Sequence, residues 1–213
     1  VQAPRRPAAP GPVMMRVAVF DYGAGNLHSL IKALDRAEGV SIHVETDAAR
    51  ASEYDALVLP GVGAFGEAAA RLAQGRDAVR QAIAGGLPVL GICLGMQLLF
   101  DGSDEGGGEG LGVLAGRVTA LSAPRVPQIG WNTIDEANDA LVERSSLATA
   151  YYANGFVCRP LDVSCVRAWS EHGGDRFPAI VRRGRVVGTQ FHPEKSSLPG
   201  VALLHAFLEE ARR

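Results

Sequence analysis

Three side chains in this 213-residue chain have the types and spacing that nucleophilic catalysis requires: Cys93, His192 and Glu194. Cys93 stands in Gly91-Ile92-Cys93-Leu94-Gly95, the nucleophile-elbow pattern G-x-S-x-G with sulfur in place of the serine oxygen. Its two glycines permit a tight strand-to-helix turn, because a Cβ at either place would crowd the neighbouring elements. Such a turn projects the thiol at a helix N-terminus, where free N–H groups and the helix dipole favour a thiolate. The alternative for this motif alone is a buried core cysteine. His192 and Glu194 are separated by one proline, so in an extended segment both side chains lie on the same side. Taken alone, His-Pro-Glu is more often a surface turn. A cysteine nucleophile needs a base to take its proton and a third group to orient that base, and these residues complete the set.

The elements that must position them follow from patterning. Pro88–Ile92 reads as a short buried strand and Leu94–Leu99 as the first turns of a helix. Upstream, Arg16–Phe20, Ser41–Glu45 and Ala56–Leu59 read as strands. Leu27, Leu30, Ile31 and Leu34 mark an amphipathic helix, and helical stretches follow at Glu67–Gln74 and Asp77–Ala84. Strands alternating with helices predict an α/β fold with a mostly parallel sheet and right-handed crossovers. Loops at the carboxyl ends of such strands build the site, and Cys93 and the Pro60–Gly66 loop both fall there. An acyl-transfer site also needs oxyanion donors. Leu94 N–H and the Gly61-Val62-Gly63 peptides are the candidates, the alternative for the glycines being only a tight loop.

Beyond Phe100 the texture changes. Asp101–Gly112 is acidic and glycine-rich, hence a loop. Arg117–Leu121, Ile129–Ile134, Ala150–Val157, Cys165–Ser170, Ala179–Arg182 and Val186–Phe191 read as strands, with a hairpin turn over Arg182–Arg185. Val201, Leu204, Phe207 and Leu208 give a closing helix one apolar face, and His205 on it reads as a packed residue rather than a ligand. Residues 1–14 are expected to be a disordered Pro- and Ala-rich extension, with 15–213 a single domain and Met14 or Met15 the true start.

Composition narrows the classes. Apolar content of 47% and a net charge of −2 suit a globular protein and give no reason to expect nucleic acid or a membrane as partner. No apolar run approaches the roughly 18 residues of a membrane span. Three cysteines without a C-x-x-C pair fit a reduced, cytoplasmic setting, and five scattered histidines offer no zinc site.

The motifs together resemble the glutamine amidotransferases with a Cys-His-Glu triad. Pro60–Gly66, Gly91–Phe100 and Gln190–Ser197 carry that likeness. Tyr22–Leu27 (Tyr-Gly-Ala-Gly-Asn-Leu) and Gly130-Trp131-Asn132 are similar to the branch that serves imidazole glycerol phosphate synthase. The resemblance implies a single-domain, three-layer, flavodoxin-like α/β sandwich. It also implies glutamine hydrolysis through a thioester on Cys93, with ammonia passed to a (β/α)₈-barrel cyclase subunit in a heterodimer, and no metal or organic cofactor. Gln97, Gly155 and Phe156 would bind glutamine. Asn26, Trp131, Asn132 and Lys195 would lie near the partner, the alternatives being core packing for Trp131 and a solvated charge for Lys195. The chain departs from the family in two places. Pro127-Gln128-Ile129 replaces Pro-His-Met, and Tyr152-Ala153-Asn154-Gly155-Phe156 replaces Phe-Val-His-Ser-Tyr. An amidotransferase of nucleotide, pyridoxal phosphate or nonulosonic acid biosynthesis is the competing enzyme reading. A non-catalytic regulatory subunit is the third.

Overall fold

The computed structural model describes residues 14–23, 27–61 and 63–213. The expectations for Asn26, Val62 and residues 1–13 lie outside the described residues. Strands and helices alternate first: β1 (Met15–Phe20), α1 (His28–Leu34), β2 (Val40–Glu45), α2 (Ala48–Ala51), β3 (Ala56–Leu59), α3 (Phe65–Leu72), α4 (Arg76–Ala84), β4 (Val89–Ile92) and α5 (Leu94–Gln97). Strands then dominate: β5 (Gly102–Ser103), β6 (Gly116–Ala120), β7 (Gln128–Thr133), α6 (Ala140–Ser145), β8 (Thr149–Asn154), β9 (Phe156–Pro160), β10 (Val166–His172), β11 (Asp175–Arg183), β12 (Val186–Thr189) and α7 (Ser197–Ala211).

Seven strands form one sheet in the order β10-β11-β12-β4-β3-β1-β2. From β12 to β2 the neighbours are parallel, and β11 and β10 add on antiparallel at one edge. β1 shows how the sheet is buried on both faces. Val17 and Val19 pack with Leu30 and Leu34 of α1 and Leu204 of α7. Ala18 and Phe20, pointing the other way, pack with Phe65 and Leu72 of α3 and Val79 of α4. Each fully buried large apolar side chain contributes about 1.5–3 kcal/mol, so the two cores hold the three layers together. His205 on α7 is a packed residue, its Nε2 2.9 Å from the Ala33 carbonyl oxygen.

The structure departs from the sequence-based expectations at several places, among them the strand expected over Ala179–Arg182, which begins at Asp175 as β11. The strand expected over Ala150–Val157 divides at Gly155, where β8 leaves its partner β7 and β9 takes up β6. The Gly155 carbonyl accepts from Leu121 N–H, which fixes the crossing. The helix expected to reach Leu99 stops at Gln97, because the next carbonyls are claimed by the following loop: Leu111 N–H donates to Leu98 and Val113 N–H to Leu99. Within the acidic loop, Gly102 and Ser103 form a short parallel pair with β6. Finally, α2 and α6 are too short to show a period, yet each carries an aspartate cap. Asp47 accepts from Ala49 and Arg50 N–H, and Asp139 from Leu141 N–H.

Candidate active site

β4 and β12 lie side by side in register, with Ile92 opposite Thr189, so the residues that follow each strand meet at the carboxyl end of the sheet. Cys93 N–H donates to the Thr189 carbonyl at 2.6 Å. The chain then turns sharply through Cys93, at φ 50° and ψ −103°. A non-glycine residue in such a conformation costs on the order of 1–3 kcal/mol and persists only where its surroundings impose it. Here they do. A Cβ on Gly91 would come within 2.6 Å of the Gly95 carbonyl, and one on Gly95 within 1.9 Å of Leu59 O, so α5 can dock on the sheet only with glycine at both places. Leu94 is the first residue of α5, so the helix makes no use of its N–H.

Beyond β12 the chain delivers two side chains to the sulfur. Gln190, fully buried, donates from Nε2 to Cys93 Sγ at 3.6 Å. His192, two residues on, is buried and held by its N–H to the Tyr151 carbonyl at 2.9 Å. Its Nδ1 lies 2.9 Å from Glu194 Oε1, whose carboxylate is also buried. Burial opposes charge on the His192 ring. Hydrogen bonds to the Cys93 sulfur and the Glu194 carboxylate, with their negative charge, outweigh it and raise the ring to about 10. The arrangement therefore favours an imidazolium beside the sulfur, turned by Glu194.

A cavity of about 220 Å³ opens at this point, lined by Cys93, His192, Gly61, Gly63, Leu94 and Gln97. Asn154, Gly155, Phe156 and Lys195 complete much of its wall. A larger cavity of about 440 Å³ opens at the amino ends of β4 and β12, but no triad residue lines it. The Gly61 backbone presses on the elbow: a Cβ there would lie 2.3 Å from Ile92 O and 2.8 Å from Cys93 Cβ. Gly63 has φ +116°, open to glycine and strained for other residues. The wall on the β9 side is braced from within the protein. Gln97 Nε2 and Asn154 Nδ2 both donate to the Phe156 carbonyl, each at 3.1 Å.

Sequence reasoning missed one charged residue of the wall, Glu105. Its Oε2 accepts from Phe65 N–H at 3.1 Å, which carries the acidic loop over the start of α3 and back to the cavity. The signal available in the sequence was an acidic stretch directly after the nucleophile's helix. Among the described residues, no three His, Cys, Asp or Glu side chains gather as a metal would need.

Of the described residues expected at a partner surface, Lys195 lines the cavity and Trp131 stands across the Tyr151 ring from it. Trp131 is 56% exposed, so core packing does not account for it, and it meets Tyr151 edge-on at 6.3 Å. Lys195 Nζ stands 5.8 Å from the centroid of the same Tyr151 ring. Asn132 serves an internal tie, donating from Nδ2 to the Glu171 carbonyl at 2.8 Å. Ile129, 68% exposed, extends the apolar surface. The two departures from the family pattern prove to be neighbours: Gln128 of β7 and Asn154 of β8 are directly opposite in register, and both are buried.

A strained cysteine at a strand–helix turn, with a His–Glu pair arriving from the adjacent strand, defines a class of acyl-transfer enzyme. The comparisons with known proteins agree. Residues 18–211 match the family model described as glutamine amidotransferase class-I, and the chain belongs to that family. The imidazole glycerol phosphate synthase subunit HisH of Rhodopirellula baltica is 42% identical, over 90% of this chain and 96% of its own. The subunit of the same name from Symbiobacterium thermophilum is 46% identical, over 90% and 92%. Among solved structures, a glutamine amidotransferase superposes with a TM-score of 0.70 at 23% identity, over 92% of this chain and 99% of its own. PurLQS from Thermotoga maritima gives 0.69 at 21%, over 92% and 99%. At those identities the structural likeness speaks to the fold.

Proposed function

We propose that this chain hydrolyses L-glutamine to L-glutamate and ammonia, and passes the ammonia to the cyclase subunit of imidazole glycerol phosphate synthase in histidine biosynthesis. The partner is a (β/α)₈ barrel, the working unit a heterodimer, and the setting the cytoplasm. One observation carries the chemistry: the strained thiol of Cys93, the raised imidazole of His192 and the Glu194 carboxylate gather at one cavity.

In this reading the Cys93 thiolate attacks the γ-carboxamide carbon of glutamine. The carbonyl π electrons move to oxygen, where Leu94 N–H and a peptide N–H of the Gly61–Gly63 loop donate to the oxyanion. His192 gives its proton to the amide nitrogen, the C–N bond breaks and ammonia leaves, forming the γ-glutamyl thioester. The neutral ring then takes a proton from water, whose oxygen attacks the thioester. Collapse expels the thiolate, which is left beside the imidazolium already formed, and frees glutamic acid, whose carboxyl gives its proton to solvent. Glu105 is placed to meet the substrate's α-ammonium group, with Gln97, Gly155 and Phe156 shaping the glutamine site. Lys195 of the cavity wall, with the exposed Trp131 and Ile129, offers the partner a surface, and the family resemblance assigns Asn132 and Asn26 to the same interface. The family relatives named HisH support the pathway.

Labelling and kinetics test the reading together. A glutamine-mimicking diazo-ketone should label Cys93 and leave Cys158, which is buried, and Cys165, which is half-buried, untouched. Cys93→Ala should abolish turnover. Adding the barrel subunit with its nucleotide ligand should raise glutamine turnover at least about tenfold, chiefly in kcat, as completing an oxyanion site would do. Normal activity in Cys93→Ala removes the mechanism. Full activity in the isolated chain removes the coupling to a partner.

A further inference from the structure

Gln190 is an amide in a place that suits a hydrocarbon. Its side chain is fully buried, and among the described residues Oε1 finds no hydrogen-bond partner. A buried acceptor left unmatched costs free energy that an apolar side chain of the same length would avoid. What the amide gains is one contact, Nε2 to Cys93 Sγ at 3.6 Å. The backbone makes this contact deliberate in geometry. Gln190 N–H is fixed to the Ala179 carbonyl at 2.9 Å, in the stretch that continues β12, and His192 follows at i+2 on the same side. The sulfur therefore interacts with both the His192 imidazole and the Gln190 carboxamide N–H.

We propose that Gln190 is a second hydrogen-bond donor to the Cys93 thiolate, which holds the nucleophile ionised and aimed whichever glutamine-derived substrate is bound. An amide N–H directed at sulfur stabilises S⁻ more than S–H, because a thiol offers only a weak acceptor. The donor is neutral, so it assists the thiolate without competing with His192 for a proton. It also remains in place after His192 has given its proton to the leaving nitrogen. The inference rests on Cys93 being the nucleophile, but not on the identity of the substrate.

The test is alkylation of Cys93 in the full chain by iodoacetamide, followed across pH with the site read by peptide mass spectrometry. The thiolate displaces iodide from carbon, so the rate reports ionised, accessible sulfur whether or not glutamine is the natural substrate. Gln190→Met keeps length and volume and removes the donor. The expected result is a rate about tenfold lower at neutral pH, a profile displaced to higher pH, and a melting temperature unchanged or raised. The other charged or titratable groups near the sulfur, His192, Glu194, Glu105, Lys195 and Cys158, are all retained in the variant. Gln190→Glu is the second variant: its carboxylate repels the thiolate, so the displacement should exceed that of Gln190→Met. A wild-type rate and profile in either folded variant overturns the proposal. Failure of the glutaminase reading would appear instead as absent glutamine turnover, with the alkylation profiles still separated.

Discussion

His192 is buried, and yet its surroundings hold it in its charged form. Its folded value stands near 10 against the ordinary 6.5, because the Cys93 sulfur and the Glu194 carboxylate favour the cation more than burial penalises it. A group raised on folding contributes stability that is complete below its unfolded value and fades as pH climbs through the folded one. The margin of the wild type over His192→Gln in denaturant unfolding should therefore be greatest below pH 6.5 and shrink toward pH 10. In the proposed mechanism the imidazolium protonates the leaving nitrogen, so glutamine turnover should fall over the upper part of that window. A stability margin flat from pH 6 to 10 would contradict the assignment. At this scale the chemistry was legible in advance, because cysteine, histidine and glutamate in these spacings are rare arrangements with few other uses. Gln190 and Glu105 were not. Gln190 stands in the Gln190–Ser197 motif and Glu105 in the acidic stretch, but their places beside the thiol and the cavity arise only when β12 continues past Thr189 and the acidic loop folds back on α3.

Elements were legible in proportion to their burial. β1, β3 and β4 are short apolar runs, nearly or wholly covered on both faces, and their composition announces it. α2 and α6 are too short to repeat a pattern, and only their aspartate caps betray them. The boundary at Gly155 could not be read, because alternation continues across it while the hydrogen-bond partner changes. The β7–β8 pair adds something the sequence showed only as two separate departures. Gln128 and Asn154 face each other, each with an amide oxygen that finds no partner among the described residues. Side chains opposed in this way couple. Restoring histidine singly, as Gln128→His or Asn154→His, should destabilise the chain more than the double change does. The coupling should be about 0.5–1 kcal/mol by urea unfolding of the four proteins. Strict additivity would show that the two positions vary independently.

At the scale of the molecule, three parts remote in sequence are locked by one half-buried network. Arg182 of β11 reaches Asp139 at 2.6 Å and Glu210 of α7 at 2.5 Å, while Asp139 also caps α6. Burial works against charge on Arg182, and the two carboxylates more than compensate. Asp139→Ala removes a cap and an ion-pair partner at once, and should cost about 2–4 kcal/mol in unfolding free energy. The cavity lies at the carboxyl ends of the strands and shares no lining residue with this network, so KM for glutamine should hardly move. A loss below about 0.5 kcal/mol, within the range of an ordinary surface substitution, would show that solvent replaces the aspartate.

The strand order has a consequence in time. β12 is the last strand of the chain, yet it lies inside the sheet, between β11 and β4. On the ribosome the thiol-bearing turn is made long before the strand that carries Gln190 and His192 to it. Until β12 enters its slot, Cys93 lacks the Thr189 carbonyl that anchors its peptide and the His192 imidazole that its sulfur meets in the folded chain. An unfinished chain thus carries a cysteine without a catalyst. No turnover can precede the entry of β12 between β11 and β4, so any glutamine hydrolysis the chain shows reports that the sheet has closed.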